Sequence, residues 1–187
     1  MTTRDRILDA AAHVMRTKGL ARATTKEIAK AASLSEAALY KHFQDKTDLF
    51  LAVLKERTPR DLTALITSLR PGEGNLKKTL IHVAETAIGF YTETFPIAAS
   101  IFSEPSLLAA HNEALQQRGT GPHVPAKALG DYLRAEQEKG RLSPESDPQA
   151  SADLILGTCQ YHAFLSFFTE WESDPEKLVE TLWNGLA

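Results

Sequence analysis

Residues 24–43 read TTKEIAKAASLSEAALYKHF, the pattern of two short helices joined by a tight polar turn. Thr24 is followed three residues later by Glu27, which is the spacing of a capping box, so a helix is expected to begin at Thr25. After the turn, Ser35 is expected to cap a second helix. Two capped helices separated by three or four residues are typical of a helix-turn-helix, a motif whose second helix enters the major groove of DNA.

The second of these helices has one apolar side and one outer side. At about 100° per residue, Leu39 and Phe43 lie on one side, and Ala37 and Lys41 lie on the opposite side. Small outer residues let a helix backbone approach the base edges, and polar donors beside them can hydrogen-bond to phosphates. An ordinary amphipathic helix pair inside an α-helical core has the same pattern, so the flanking sequence has to separate the two interpretations.

The segments on either side favour the DNA-binding interpretation. Upstream, Arg4 to Gly19 predicts a helix that stops at the glycine. Its predicted apolar face consists of Ile7, Leu8, Ala11, Val14 and Met15. Downstream, Asp45 is expected to cap a further helix that carries Leu49 and Phe50. The N-terminal part of the chain therefore predicts a small helical domain that contains the helix-turn-helix.

Residues 4–54 as a whole resemble the DNA-binding domain of the TetR/AcrR family of transcriptional repressors. The matching segments are ILDAA at 7–11, Gly19, TTKEIAKAA at 24–32, SEAALYKHF at 35–43 and DKTDLF at 45–50. One departure is Ser33, which stands where the family usually has glycine, and we expect it to change the turn conformation slightly. The resemblance implies a protein that holds its operator as a dimer and releases it when a small molecule fills the C-terminal domain.

The resemblance also implies which residues contact double-stranded DNA. They are Thr25, Lys26, Ser35, Glu36, Ala37, Ala38, Tyr40, Lys41, His42 and Lys46. Lys26 is the best candidate to reach a guanine, because lysine can donate to O6 and N7, and Tyr40 and His42 are expected to hold phosphates. Lys46 begins a helix, where a cation opposes the macrodipole. A bound phosphate would offset that cost, and the neighbouring aspartates are an alternative source of compensation.

Composition and charge agree with a DNA-binding domain attached to a larger acidic body. Residues 1–50 hold nine lysines and arginines and six aspartates and glutamates, a net charge of +3, whereas the whole chain has −3. A basic end attracts phosphate, although a chance fluctuation of a few charges gives the same imbalance. Without an apolar run of 18 residues or a signal peptide, no membrane partner is expected. Cys159 is the only cysteine, so a cytoplasmic location is expected.

After residue 54 the pattern stays helical, which predicts an all-α chain of about nine helices. Residues 1–54 would form a three-helix DNA-binding domain with the helix-turn-helix, and residues 55–187 a helical ligand-binding and dimerisation domain. Helices are expected at 75–94, 97–112, 126–139 and 149–168, with Pro96 beginning the second.

The two final helices predict a homodimer. Residues 149–168 are apolar on all sides and have to be covered on two sides, whereas the last helix has a single apolar stripe. One face can pack inward while the other meets a second copy, and the resemblance implies the same four-helix pairing. The alternative is a helix buried in a single monomeric core. The anchors that we expect at the interface are Leu156, Phe164, Phe167, Leu182 and Trp183.

The four middle helices are expected to surround a largely apolar cavity for a small-molecule inducer. The candidate lining residues are Val83, Phe90, Tyr91, Phe102, His111, Cys159 and His162. The alternative is that they simply fill the core. A hydrophobic inducer fits this set. The excess of acidic over basic residues favours a neutral or cationic ligand. His82 and His111 could instead bind a carboxylate, so the ligand charge stays open.

Enzyme function is not expected. The six histidines are scattered, and the sequence lacks a glycine-rich phosphate loop, a GxSxG elbow and an HExxH motif. Cys159 and His162 lie one helical turn apart, but two ligands do not make a metal site, so neither metal nor cofactor is expected. The sequence therefore predicts a homodimeric repressor that binds a palindromic operator and is released by an inducer. The alternatives are a nucleoid-type protein without sequence specificity and an all-helical enzyme.

Overall fold

The computed structural model describes residues 1–19 and 22–186, apart from the side chains of residues 100 and 186. Within these residues the chain forms ten α-helices and no strand, which confirms the all-α prediction. The helices are α1 Thr3–Lys18, α2 Thr25–Ala31, α3 Glu36–Tyr40, α4 Lys46–Glu56, α5 Asp61–Ser68, α6 Leu76–Phe102, α7 Pro105–Gln117, α8 Val124–Glu138, α9 Pro148–Leu165 and α10 Pro175–Leu186.

The chain divides into two compact units, each built from two segments. Unit 1 comprises Met1–Thr58 and Thr94–Gly119, and unit 2 comprises Pro59–Glu93 and Thr120–Ala187. Helix α6 therefore contributes residues to both units. The division of function at residue 54 stays a prediction, because the two units are defined by packing alone.

Unit 1 is built around α1. The predicted apolar face of α1 is buried, including Ile7 and Met15. Polar contacts fix its outer side: Arg6 Nη2 donates to the Ala32 carbonyl at 2.7 Å, and the Arg4 guanidinium forms two hydrogen bonds of 2.7 and 2.8 Å with Glu56. Helix α1 therefore holds both the end of α2 and the end of α4.

Unit 2 has an apolar core and one fully buried carboxylate. Glu136 on α8 accepts from the Gly72 N–H at 3.2 Å, and its other oxygen lies 3.2 Å from Arg141 Nη1. Arg141 also donates to the Gly74 carbonyl at 2.8 Å. Burial, and then the nearby Glu136 carboxylate, raise the pKa of Tyr132. These contacts tie the loop between α5 and α6 to α8 and to the segment that follows it.

The predicted break between a helix ending at residue 94 and one starting at Pro96 was wrong. Helix α6 has 27 residues and continues through Pro96, which we expected to begin a new helix. Proline has no N–H to donate to the carbonyl of Thr92, and Thr92 is an exposed residue. Ile97 and Ile101, which follow the proline, are buried in the core of unit 1. Their burial favours continuing the helix over ending it.

Candidate functional site

Helix α2 begins where the sequence predicts, but its cap differs from the expected one. Thr24 is the N-cap, and its hydroxyl accepts from the Glu27 N–H at 3.2 Å. The Thr24 N–H donates to the Arg22 carbonyl instead of to the Glu27 carboxylate. That carboxylate accepts from Lys18 Nζ at 2.6 Å, an ion pair that lowers the pKa of Glu27. The start of α2 is therefore tied to the end of α1.

The turn between α2 and α3 keeps a left-handed residue despite the missing glycine. Ser33 has φ 56°, in the region that glycine adopts most easily. How far this turn differs from a glycine-containing turn stays a prediction. Ser35 caps α3 as predicted, since its hydroxyl accepts from the Ala38 N–H at 3.2 Å.

Helix α3 is shorter than predicted. It ends at Tyr40, and both the His42 and Phe43 N–H groups donate to the Leu39 carbonyl, so Lys41 and His42 lie in the turn that follows. Phe43, like Leu39, is buried in the core of unit 1. The prediction that Lys41 lies opposite Phe43 on a regular helix is therefore wrong, although Lys41 remains exposed.

The predicted DNA-contacting residues lie mainly on the exposed side of this motif. Thr25 and Ala38 are partly exposed, and Lys26, Ser35, Glu36, Ala37, Tyr40, Lys41, His42 and Lys46 are exposed. By contrast, Ile28 and Leu39 on the same two helices are completely buried. The motif therefore presents polar and small side chains while its apolar side packs inward.

Three of these residues contact one another. The Thr25 hydroxyl donates to the Glu36 carboxylate, and the Tyr40 hydroxyl donates to Thr25 Oγ1 at 3.5 Å. The contacts join the first residue of α2 to the first and last residues of α3. Sequence reasoning placed all three on the DNA surface but did not anticipate the link between them.

Lys46 is the first residue of α4, and local groups already compensate for its position. Asp45 Oδ1 accepts from the Asp48 N–H at 2.8 Å, and Asp48 Oδ2 accepts from the Gln44 N–H at 3.0 Å. These carboxylates complement the macrodipole at the helix start. The exposed Lys46 ammonium lies 5.1 Å from the centroid of the Phe50 ring. It remains accessible to a phosphate.

Comparison with known proteins shows the family to which this chain belongs. The sequence model described as bacterial regulatory proteins, tetR family, matches residues 7–53. YvkB of Bacillus subtilis, an uncharacterized HTH-type transcriptional regulator, is 31% identical over 154 residues, covering 82% of this chain and 77% of that protein. The chain belongs to the TetR family. It is thus a DNA-binding transcriptional regulator.

Two further similarities concern this TetR-family chain as a whole. The nucleoid occlusion factor SlmA of Haemophilus ducreyi is 34% identical over 168 residues, which cover 89% of this chain and 81% of that protein. A solved structure of a TetR-family regulator from Mesorhizobium loti matches with a TM-score of 0.75 at 19% identity, covering 98% of this chain and 94% of that one. At this identity the structural match supports the fold alone.

The expected dimer anchors of this TetR-family member differ in exposure. Leu156 is only 3% exposed and belongs to the core of unit 2, so it is not available on the surface of α9. Leu182 and Trp183 on α10 are half-buried against the same core, whereas Phe164 and Phe167 are exposed. Further exposed apolar residues on and after α9, which the sequence analysis did not single out, are Leu154, Tyr161, Phe168 and Trp171.

The candidate pocket residues divide between the two units. Val83 and Cys159 are completely buried in the core of unit 2, and Phe90 and Tyr91 pack against it. Burial raises the pKa of the Cys159 thiol to about 12, and burial with Cys159 nearby raises the pKa of Tyr91 to about 12. His162, in the same unit, has a buried Nδ1 atom without a hydrogen-bond partner among the described residues.

The other two candidates belong to unit 1. Phe102 is 72% exposed, more than a ligand-lining side chain in a closed pocket shows. His111 is half-buried, and burial lowers its pKa.

Elsewhere in unit 2, a cavity of about 460 Å³ is lined by Gly74, Asn75, Leu76, Lys77, Arg141 and Trp183. None of the candidate pocket residues lines it. The described side chains include no group of three or more His, Cys, Asp or Glu placed to hold a metal ion. Among the helices that the structure describes, we find none with the length and apolar character of a membrane span.

Proposed function

We propose that this TetR-family regulator is a homodimeric repressor that binds an inverted-repeat operator and is released by a small molecule. The observation that carries the proposal is the polar side of the helix-turn-helix. Lys26, Tyr40 and Lys41 are exposed there, while Ile28 and Leu39 hold the same helices in the core. Such a surface can donate to phosphates for positioning and to base edges for specificity.

The operator can be found directly. Genomic fragments retained by the purified protein would be sequenced, and we expect them to share an inverted repeat, because a two-fold dimer presents two identical motifs. Transcription in vitro from a promoter that contains this repeat should fall when the protein is added. Retained fragments without a common motif would contradict the proposal. Tyr40→Phe should weaken binding to all sequences evenly, because on DNA the Tyr40 hydroxyl would exchange its 3.5 Å contact with Thr25 for one with a phosphate.

The proposed dimer uses α9 and α10. Its support is the group of exposed apolar side chains at the end of α9 and just after it, with Phe164 and Phe168 rings 4.8 Å apart. Exposed aromatic side chains in one region are typical of interface cores. Light scattering at micromolar concentration should give twice the chain mass of 20.6 kDa. Phe164→Ser should lower that mass, whereas Phe102→Ser, which removes an exposed phenylalanine from unit 1, should not.

The proposed inducer site is the part of unit 2 around Tyr91, Cys159 and His162. Its support is chemical: Cys159 is buried in the core, Tyr91 packs against that core, and the buried His162 Nδ1 has no hydrogen-bond partner among the described residues. A small molecule that prefers one spacing of the two DNA-binding motifs would shift the dimer between bound and free states. Such a compound should stabilise the protein in a thermal-shift screen and also release operator DNA.

Variants can locate that site. Phe90→Ala should blunt the response to the compound, because Phe90 packs against the core of unit 2. It should leave operator affinity without ligand nearly unchanged, because Phe90 is not part of the helix-turn-helix at residues 24–43. Phe102→Ala serves as the matched control, since Phe102 is exposed. A response that survives Phe90→Ala and Tyr91→Phe would place the inducer elsewhere and leave the DNA-binding proposal intact.

A second candidate function is a nucleoid-type role, and the similarity to SlmA favours it. In that case the protein would bind DNA broadly, mainly through phosphates, and its affinity for any sequence would fall steeply with salt. The ratio of affinities for the selected repeat and for random DNA separates the two candidates. A large ratio that persists as salt is raised supports the repressor, and a ratio near one supports the nucleoid-type role.

A further inference from the structure

Glu36 is a negatively charged side chain at a surface that we propose to face DNA. Glu36 is the first residue of α3 and is exposed. The exposed cations Lys26 and Lys41 belong to the same helix-turn-helix. Phosphates repel a carboxylate, so an acidic residue at this place weakens non-specific binding. Hydrogen bonds accepted by the carboxylate from the DNA would compensate for this repulsion at a bound site.

The carboxylate of Glu36 is also held in place. The Thr25 hydroxyl donates to it, which leaves the Thr25 oxygen free to accept from the Tyr40 hydroxyl at 3.5 Å. A free glutamate side chain populates several rotamers, and fixing one of them on binding costs entropy. The hydrogen bond from Thr25 restricts the Glu36 side chain before DNA binds, so less entropy is lost on binding. The side chain is in this sense preorganised. A carboxylate held in one direction is suited to a contact that depends on direction.

The bases offer few partners to a carboxylate. In the major groove, guanine presents two acceptors, thymine an acceptor and a methyl group, and adenine a donor beside its N7 acceptor. Cytosine presents its N4 amino donor without an acceptor of its own beside it. An acceptor-only side chain therefore prefers cytosine to the other three bases.

We propose that Glu36 determines sequence specificity by accepting a hydrogen bond from a cytosine N4 amino group, and that Thr25 is the positioning residue that orients its carboxylate. This inference rests on the proposed function, because it requires α2 and α3 to meet DNA in a sequence-specific manner. A different role would be purely structural, with Thr25 and Glu36 linking the two helices and Glu36 complementing the short helix start. The two roles differ in their effect on base preference.

The test is selection from a randomised double-stranded DNA library with the full-length protein. The wild type should enrich half-sites with one C·G pair at which the other three pairs reduce affinity about tenfold or more. Glu36→Gln should replace that preference with one for adenine, because glutamine can pair with N6 and N7. Glu138→Gln, which removes an exposed glutamate from α8, is the charge-matched control and should leave the selected motif unchanged.

Thr25 variants test the positioning role. Thr25→Val keeps the shape but removes the donor, so discrimination at the Glu36 position should fall several-fold while the rest of the motif is kept. Thr25→Ser should retain it, since serine keeps the hydroxyl. Thermal melting of each variant checks that the fold is intact. A loss of stability in Thr25→Val with unchanged discrimination would assign Thr25 the structural role and overturn its positioning role.

The failure of this inference differs from the failure of the proposed function. A wild type that enriches a clear motif, together with a Glu36→Gln variant that enriches the same motif with equal discrimination, overturns the role of Glu36 alone. A wild type that enriches no sequence overturns the proposed repressor and this inference with it.

Discussion

The left-handed residue in the turn of the helix-turn-helix makes a stability prediction. Ser33 has φ 56°, and a residue with a Cβ atom in this region costs roughly 1–2 kcal/mol relative to the right-handed region. Glycine avoids that cost but loses roughly 0.5–1 kcal/mol more backbone entropy on folding. Ser33 is exposed, so removing its side chain leaves no cavity. We therefore expect Ser33→Gly to raise the free energy of unfolding by about 0.5–1 kcal/mol.

The assay is thermal and urea-induced unfolding followed by circular dichroism. For a chain of this size, the expected gain raises the melting temperature by about 1–4 °C. Ser33→Ala is the matched control, because alanine loses the hydroxyl but keeps the Cβ atom, and it should show no gain. Ser35→Ala should act in the opposite direction by about 1 kcal/mol, since it removes the cap of α3. DNA affinity of Ser33→Gly should stay unchanged, because the turn already has the conformation that glycine favours.

A Ser33→Gly variant that melts no higher than Ser33→Ala would refute this reasoning. It would mean that the left-handed conformation of residue 33 carries no strain in this turn.

Three further predictions concern DNA contacts, a buried charge and acid stability. In a salt titration of selected and random DNA, Lys46→Ala should weaken binding to all sequences evenly and lower the salt slope by about one. Lys26→Ala should weaken binding and also relax base preference. Lys30→Ala, on the same helix as Lys26 but outside the proposed surface, should change neither affinity nor base preference. Glu136→Ala should lower the free energy of unfolding in urea by about 3 kcal/mol, because Glu136 is completely buried beside the Arg141 guanidinium. Glu136→Gln should lower it less, since the amide oxygen can still accept a hydrogen bond. Equal losses for the two variants would contradict this prediction. The Thr2 N–H and hydroxyl, and then Arg57, lower the pKa of Asp5 to about 2, so its stabilising effect is present above about pH 4 and is lost as the pH falls towards 2. Melting curves of Asp5→Asn should therefore differ from the wild type at pH 7 and converge with it near pH 2, and a difference that is constant with pH would rule out the effect.

Helix starts that carry a side-chain cap follow from the local sequence, unlike the start that was expected at Pro96. Asp45, the predicted cap of α4, accepts from the Asp48 N–H, and Asn75, Asp147 and Asp174 likewise precede helices and accept from a backbone N–H two or three residues later. A cap is a contact between near neighbours in the chain. The residues that form it are therefore visible together in the sequence, whatever packs around them.

Helix ends depend on distant contacts and were predicted less well. A proline inside a helix costs about 3 kcal/mol, which favours a break at Pro96 when the sequence is considered alone. The helix continues because Ile97 and Ile101 are buried against residues far away in sequence, including those of α1. Helix α3 likewise ends at Tyr40, earlier than its apolar pattern indicates, and Phe43 is buried in the core of unit 1. Local propensity has no information about either contact.

The same distinction separates the DNA surface from the ligand and dimer surfaces. The helix-turn-helix spans about twenty residues, so the exposed and buried sides of α2 and α3 follow from one amphipathic pattern and from the known use of that motif. Helix α9 has apolar residues on every side, and periodicity cannot say which of them face the core of the same chain. The structure buries Ile155, Leu156 and Cys159 and leaves Leu154 and Tyr161 exposed, which moves the proposed interface around the helix from Leu156. Substitutions at Leu154 and Tyr161 therefore test the interface more directly than one at Leu156, whose loss would disrupt the core first.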